Sequence, residues 1–446
     1  MTTMKNPFRS FHLNTTQYLN VAFCIFVLMG TVILFLPISS ADGSTDFITA
    51  LFTATSATCV TGLVLVDTSA HWSLFGQIII LLLIQIGGLG IMSFSVFYAL
   101  VLGRKIQLRT RIMMQTSINQ LDPGGIVKLF KNLIIISVVI ELITAVILTL
   151  RWLPDMGFKK ALWFGCFHAI SAYNNAGFNL TGNSLADYAG DEVVNSVICI
   201  SIILGGLGFI VLNELFFDRK KKNKRLSFHT KVVLITSAVF IFIPALIMLI
   251  TEYNNSLSHL PWDAKILAAL FQSVNTRSGG FSTINLNHML QSTQFLFIFT
   301  MFIGCSPGST GGGIKTTTFA ILLSTIISQI RGKKEAELWR YSISPVIINR
   351  ALCVLVFYVT ILMLVTFLLL ATHQGEFMPI LFEVTSALGT VGFSLDFTSQ
   401  LSVFGKILII FTMYIGRIGP LTLAFALAYK AKQPEIRYPA GKITIG

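Results

Sequence analysis

FEVTSALGTVGF, residues Phe382–Phe393, starts as an apolar helix and finishes on a glycine followed by phenylalanine. The chain carries it three more times in altered form: FTATSATCVTGL at Phe52–Leu63, FHAISAYNNAGF at Phe167–Phe178 and FQSVNTRSGGF at Phe271–Phe281. Aligned on the terminal glycine, the copies superpose Gly62, Gly177, Gly280 and Gly392. Alignment on the serine instead offers Gly279 in the third copy, but the phenylalanine after Gly280 matches copies two and four. Such self-similarity, at intervals of roughly a quarter of the chain, marks an internal repeat, with a site to be sought where the repeats meet.

Each stretch closes a short apolar piece: TDFITALFTATSA, KKALWFGCFHAISA, WDAKILAALFQSV or EFMPILFEVTSAL. Lengths of about 10–14 residues suit segments that enter a membrane and return. On either side lie longer apolar runs near 18–38, 73–102, 130–151, 193–217, 231–251, 293–330 (interrupted), 347–371 and 402–430. The expectation is an all-α integral membrane protein with eight spanning helices. They form four pseudo-repeats of helix, re-entrant pore helix, filter loop and helix around one central pore, divided at 1–128, 129–229, 230–345 and 346–446.

Composition agrees: 54% of residues are hydrophobic and 11% charged, against roughly 25% charged in soluble domains. The net charge of +13 reports topology rather than nucleic acid. Basic residues gather at Lys5 and Arg9, at Arg104–Arg111 with Lys128 and Lys131, and at Arg219–Lys231, Arg331–Arg350 and Lys430–Lys442. The loops between are acidic, with Asp42, Asp46, Asp67, Asp187, Asp191, Glu192, Glu252, Asp263, Glu376 and Asp396. Lysine and arginine excess marks the cytoplasmic side, which places both termini there and the short apolar pieces outside. The first run, Tyr18–Pro37, exceeds the ~7–15 residues of a signal peptide core and reads as a retained helix. Six cysteines lie scattered in apolar segments, without metal spacing or a disulfide framework.

A short helix entering from outside aims its C-terminal carbonyls, and their partial negative charge, at the membrane centre. Extended backbone beyond it offers oxygens in place of an ion's hydration shell, and glycine admits φ values that other residues avoid. Four such units around one axis make a cation pathway. The plainer alternative is four hairpins packed together with glycine turns.

GCSPGSTGGGIKTTT, Gly304–Thr318, interrupts the sixth apolar run. It is no phosphate-binding loop, because Ile314 separates Gly313 from Lys315 where the motif needs Gly-Lys adjacent. Superposing QIGGLGI, ILGGLGF, FIGCSPG and YIGRIGP aligns Gly88, Gly206, Cys305 and Arg417. The third repeat thus opens into its loop at the depth where the fourth carries an arginine. Intramembrane arginines face the protein interior. Arg417 either hydrogen-bonds loop carbonyls for structure or lies with the loop across the path as a gate. Lys315 adds to that barrier or points to cytosolic water.

Three other readings remain in view. Glu141, in ISVVIELITAV, is an intramembrane acid that would suit a sodium- or proton-coupled secondary transporter, or is a packing acid with a satisfied partner; Glu214 lies near an inner helix end. His168, Asn174 and Asn175 form the polar cluster an enzyme would need, without paired carboxylates or an activated nucleophile. A membrane scaffold leaves the fourfold glycine pattern unexplained.

With the four glycine loops, GSTGGGIKT and the arginine of YIGRIGP together, the chain resembles the Trk/Ktr/HKT superfamily of cation transporters over nearly its whole length. Within it the likeness is to the KtrB-type membrane subunits of bacterial Ktr potassium-uptake systems, an architecture like that of potassium channels. The resemblance implies a filter built from the backbone of Thr58, Cys59, Val60, Thr61 and Gly62, of Tyr173, Asn174, Asn175, Ala176 and Gly177, of Thr276, Arg277, Ser278, Gly279 and Gly280, and of Leu388, Gly389, Thr390, Val391 and Gly392. TVGYG, the filter of potassium channels proper, occurs in no copy. The Arg277 side chain is expected to pack behind the filter. The gate implied comprises Gly304, Cys305, Ser306, Pro307, Gly308, Ser309, Thr310, Gly311, Gly312, Gly313 and Lys315, together with Arg417. The resemblance further implies potassium as the transported ion with sodium as the alternative, no cofactor in this chain, and a bacterial plasma-membrane homodimer with a pore in each protomer. It also implies a cytosolic ring of KtrA-type nucleotide-binding subunits as partner.

Overall fold

The computed structural model describes residues 15–90, 126–218 and 225–419. Within them one pattern recurs: a first helix, a shorter buried helix and an outgoing helix. It is made by α1 (Thr15–Phe35), α2 (Phe47–Cys59) and α3 (Leu74–Leu89), then by α4 (Ile126–Met156), α5 (Phe158–Tyr173) and α6 (Glu192–Leu207), which continues in α7 (Phe209–Asn213). Next come α8 (Phe228–Glu252), α9 (Trp262–Asn275) and α10 (Gln291–Phe302), continued by α11 (Thr316–Ile330), and last α12 (Pro345–Thr372), α13 (Phe377–Gly389) and α14 (Val403–Ile418). Three outgoing helices start on a side-chain cap. Ser73 Oγ accepts from Gly76 N at 3.2 Å, Asp191 Oδ1 from Val193 N and Val194 N at 3.0 Å, and Ser402 Oγ from Gly405 N at 3.2 Å. Each cap is worth about 1 kcal/mol.

The helices α4, α8 and α12 are long and apolar enough to cross a bilayer, and α6 with the segment to Phe217 makes a fourth if the 102° bend between them lies within one span. Of the eight expected spans, the described residues therefore show three or four at full length. Glycine shapes the outgoing helices. α3, α6 and α14 each stop at a glycine with positive φ, Gly90 at 82°, Gly208 at 94° and Gly419 at 86°, whereas α10 stops about one turn earlier, at Phe302. The inner parts of two expected spans, 91–102 and 420–430, lie outside the described residues, as do the Arg104–Arg111 cluster and the C-terminal tail.

Each outgoing helix packs on the short helix of the next unit: α3 on α5, α6 on α9, α10 on α13, and α14 back on α2. The contacts close a circuit around the short helices. Outside it, α8 presents Phe242 and Ile250 and α12 presents Met363 and Phe367, all more than half exposed. Such apolar surface is a liability in water and ordinary against lipid, where helices satisfy their own backbone groups. Inside, Phe52, Phe167, Phe271 and Phe382 are fully buried, and Phe297 stacks on Phe393 at 6.1 Å. The strands among the described residues form a hairpin of β1 (Glu337–Leu338) and β2 (Tyr341–Ser342) between α11 and α12. Its turn residues Trp339 and Arg340 have positive φ, as the tightest hairpin turns require.

Candidate functional site

The four short helices run into loops with one shared backbone. Two residues before each terminal glycine, a non-glycine residue adopts positive φ: Val60 at 57°, Asn175 at 58°, Ser278 at 65° and Thr390 at 49°. For β-branched Val60 and Thr390 this region costs on the order of 1–3 kcal/mol, so the surrounding structure must impose it. The glycines follow at 89° (Gly62), 71° (Gly177), 75° (Gly280) and 96° (Gly392). The amide before each glycine donates back to its helix end: Thr61 N to Ser56 O, Ala176 N to Ser171 O and Gly279 N to Asn275 O at 2.8 Å, and Val391 N to Ser386 O at 2.9 Å. Asn275 therefore stands where the other copies have serine, and its loop is one residue shorter. Its side chain also does serine's work: Asn275 Oδ1 accepts from Phe281 N at 3.0 Å, as Ser56 Oγ and Ser386 Oγ accept from Gly62 N and Gly392 N at 3.1 Å. The matching glycine is Gly280; alignment on Ser273 sets the wrong register.

The glycines meet. A Cβ on Gly62 would lie 2.4 Å from Ala176 O, one on Gly177 2.8 Å from Gly280 Cα, one on Gly280 2.6 Å from Val391 O and one on Gly392 2.5 Å from Thr61 O. These contacts run from the first loop to the second, third and fourth and return to the first. No side chain fits in that ring. The helix ends behind it carry partial negative charge, and all four point to the same place.

One part of the expected carbonyl ladder is already in contact with protein. A Cβ on Gly87, Gly205 or Gly416 would come within 1.9, 2.0 or 2.2 Å of the carbonyl oxygens of Thr58, Tyr173 and Leu388. These innermost oxygens abut the outgoing helices, and glycine there is what allows so close an approach. Sequence reading overlooked this role for Gly87, Gly205 and Gly416, although the recurring Ile/Leu-Gly pair was its signal.

Beneath the ring lies the segment between α10 and α11. It folds on itself through Cys305 N to Gly312 O and Ile314 N to Phe302 O, and it reaches α6 through Ser306 N to Gly206 O and Thr310 N to Gly205 O, at 3.1–3.3 Å. Gly312 N donates to Ser278 Oγ (3.2 Å) and Thr390 Oγ1 (3.0 Å), and Thr310 Oγ1 donates to Tyr173 O (3.4 Å). The segment thus touches three of the four loops from below. Arg417 completes the circle: its guanidinium donates to Thr310 O, to Gly87 O and, at 3.1 Å, to Gly88 O. Ion pairs among the described residues are those of Arg151 and Lys333, so backbone carbonyls rather than a carboxylate hold this charge, through charge-assisted hydrogen bonds. Lys315 Nζ folds back on Gly311 O at 2.8 Å. Gly208 lies against Pro307 O, and Phe209 N donates to Gly308 O at 2.8 Å.

The remaining candidates lie off this axis. Arg277 is buried and its guanidinium donates to Ser237 O (3.4 Å) and Oγ (3.3 Å) on α8, behind the third loop, while its own carbonyl accepts from Cys305 Sγ (3.1 Å). Glu141 accepts from Gln85 Nε2 (2.9 Å) and Asn174 Nδ2 (3.2 Å), an acid with partners behind the second loop. His168 bonds backbone on both ring nitrogens, to Phe164 O at 2.8 Å and from Leu180 N at 3.4 Å. Glu214 accepts from Ser227 N (2.6 Å) and Ser227 Oγ (2.7 Å), tying the end of α7 to the start of α8. His168, Asn174 and Asn175 do not converge on a nucleophile or a pair of acids.

Apolar helices with lipid-suited outer faces around an inward ring of backbone are the architecture of an integral membrane protein. A family model described as TrkH, cation transport protein, matches residues 9–437, and the chain belongs to that family, one of transporters rather than enzymes. It is 44% identical over 432 residues to the Ktr system potassium uptake protein B of Bacillus subtilis (strain 168), covering 96% of each chain. It is 38% identical to the potassium/sodium uptake protein NtpJ of Enterococcus hirae, over 100% of both. The crystal structure of the potassium transporter TrkH from Vibrio parahaemolyticus superposes with a TM-score of 0.71 over 92% of this chain and 85% of that one, at 19% identity. The fold is shared at that distance.

Proposed function

We propose that the chain takes up potassium across the bacterial plasma membrane through a selectivity filter formed by its four glycine loops. The single observation that carries this reading is the closed ring of Gly62, Gly177, Gly280 and Gly392, in which each glycine lies against the backbone of the next loop. A dehydrating potassium ion needs oxygens in place of its water shell, and four loops at four helix C-termini supply both carbonyls and favourable field. The four pseudo-repeats are then the quarters of one pore, with eight passes through the membrane and both termini in the cytoplasm.

Gly304–Thr318 with Arg417 is the gate in this reading. It lies under the ring, brings the cationic side chains of Lys315 and Arg417 to the backbone of Gly311 and Thr310, and its glycines let it move aside. Control falls to a cytosolic ring of KtrA-type nucleotide-binding subunits, and two copies of the chain form a dimer with a pore each; the Ktr-system name of the Bacillus relative supports a multi-component assembly. Coupled transport through Glu141 is disfavoured, because its carboxylate is engaged by Gln85 and Asn174 away from the ring. Sodium or pH dependence of uptake that disappears in Glu141→Gln would restore it.

The test is potassium uptake by cells lacking their own uptake systems, expressing the chain with and without a KtrA-type subunit. Gly177→Asp puts a side chain where a Cβ alone comes within 2.8 Å of Gly280 Cα, and uptake should vanish at normal expression. Uptake by that variant at the wild-type rate would refute the filter.

A further inference from the structure

The residue after the buried phenylalanine of each repeat is Thr53, His168, Gln272 or Glu383, and all four are at most 1% exposed. Four different polar side chains thus occupy one position on α2, α5, α9 and α13, where a buried polar group needs a partner. Three of them have found it in the same place. His168 Nε2 accepts from Leu180 N at 3.4 Å, and Nδ1 on Phe164 O at 2.8 Å holds the ring in that orientation. Gln272 bonds Ser282 Oγ at 2.7 Å, and with its amide turned as its neighbours favour it also accepts from Thr283 N (3.0 Å) and Ile284 N (3.3 Å). Glu383 accepts from Ser394 Oγ at 2.6 Å and Thr398 Oγ1 at 2.5 Å, and those two hydroxyl oxygens lie 2.9 Å apart. Leu180, Ser282 and Ser394 each stand two or three residues beyond their glycine. Thr53 Oγ1 has no such partner.

We propose that His168, Gln272 and Glu383 are positioning residues that clamp the outer limb of loops two, three and four to their helices, and that this clamp, strongest at Glu383, sets the ring's preference for potassium over sodium. The proposal rests on the filter reading above. Below each glycine the backbone is fixed by amides bonded to the helix end, Ser56, Ser171, Asn275 or Ser386; above it, the clamp adds to single bonds at the next residue, Ser171 Oγ to Phe178 O at 2.7 Å and Phe281 N to Asn275 Oδ1 at 3.0 Å. A loop held on one side only can contract around a smaller ion, whereas one held on both keeps its oxygens at a set spacing, and selectivity depends on that spacing or on the stiffness behind it. Glu383 contributes most because it takes two hydroxyl donors on two oxygens. The first loop, unclamped at Thr53, is the one free to give.

Rubidium-tracer and radioactive-sodium uptake by the full chain with its KtrA-type subunit tests this. Glu383→Met keeps volume and removes both bonds; the rubidium-to-sodium ratio should fall about tenfold, with KM for potassium raised and maximal rate kept. Gln272→Leu and His168→Phe should lower it less, and Thr53→Val should leave it unchanged. Glu383→Gln can still bond both hydroxyls and should retain the wild-type ratio, which a role for the carboxylate's charge would not allow, just as a space-filling role would not allow the fall in Glu383→Met. If Glu383→Met fails to reach the membrane, Ser394→Ala with Thr398→Val removes the same bonds from the other side and should lower the ratio equally. A wild-type ratio in a transporting Glu383→Met or double variant overturns the clamp, as does a Glu383→Gln ratio as low as that of Glu383→Met. Gly392→Ser separates the two ideas: a shifted ratio there, with Glu383 variants unshifted, sinks the clamp alone, and no shift in Gly392→Ser sinks the filter itself.

Discussion

Around the ring each support is made four times: a residue at positive φ, a glycine, an amide bonded back to a helix end. Beneath it, Gly304–Thr318 and Arg417 occur once each. The segment is held to its neighbours by separate bonds, to Gly205, Gly206 and Phe209, to Tyr173, to Arg277, Ser278 and Thr390, and to Arg417. Moving one ring glycine means unwinding the end of a packed helix. Moving the segment means breaking a handful of hydrogen bonds worth about 1 kcal/mol each net, which differential binding of a regulator on the cytosolic side can supply. What repeats is suited to a fixed task and what occurs once to a regulated one.

That contrast breaks first at the ring, where the largest effects belong. Aspartate at Gly62, Gly177, Gly280 or Gly392 should each abolish tracer uptake, by about 100-fold or more, because each glycine lies against the backbone of the next loop, where the proposed filter would strip an ion of water. Any one position that tolerates the change would show that the ring is not evenly built. The segment should behave oppositely. Deleting Ser309–Gly313 removes the bonds from Thr310 and Gly312 and should raise basal flux about tenfold while abolishing the response to the nucleotide-binding subunit, as expected when an obstruction is taken from a conducting path. Unchanged flux with intact regulation would remove the segment from the gate.

The ring was legible in the sequence because its demand falls on residue identity. Positive φ under crowding admits glycine, so Gly62, Gly177 and Gly392 recur with a common spacing from a buried phenylalanine. Arg417 and GSTGGGIKT were legible for a similar reason, being polar in an apolar run. What escaped notice depends on geometry. Asn275 replaces serine by hydrogen-bond equivalence, which is why alignment on Ser273 offered Gly279 as the alternative to Gly280. Val60 and Thr390 carry strain that nothing in their side chains announces. The breaks at Gly90, Gly208 and Gly419 were masked because GGLG and GRIG remain apolar enough to read as continuous span, and glycine is common within membrane helices. Glu383, buried and bonded to two hydroxyls, was hidden inside a segment read for its apolar pattern.

The smallest expected effect separates two meanings of Arg417. As a fixed charge it would repel cations wherever it sits near the path; as a donor it holds Thr310 O to Gly87 O and Gly88 O, joining the fourth unit, the segment and the first. Lysine keeps the charge but not the planar fork that reaches several carbonyls, and glutamine keeps neither. Since the guanidinium is spread over three carbonyl oxygens, the bonds should matter more than the charge. Basal flux without the regulatory subunit should then rise about two- to fivefold in Arg417→Lys and slightly further in Arg417→Gln, the loss of a charge-assisted bond or two costing about 1.5–3 kcal/mol each before the segment relaxes. Wild-type flux in Arg417→Lys with a leak in Arg417→Gln would mean that charge alone closes the path, and the segment would then be regulated by repulsion rather than by a latch.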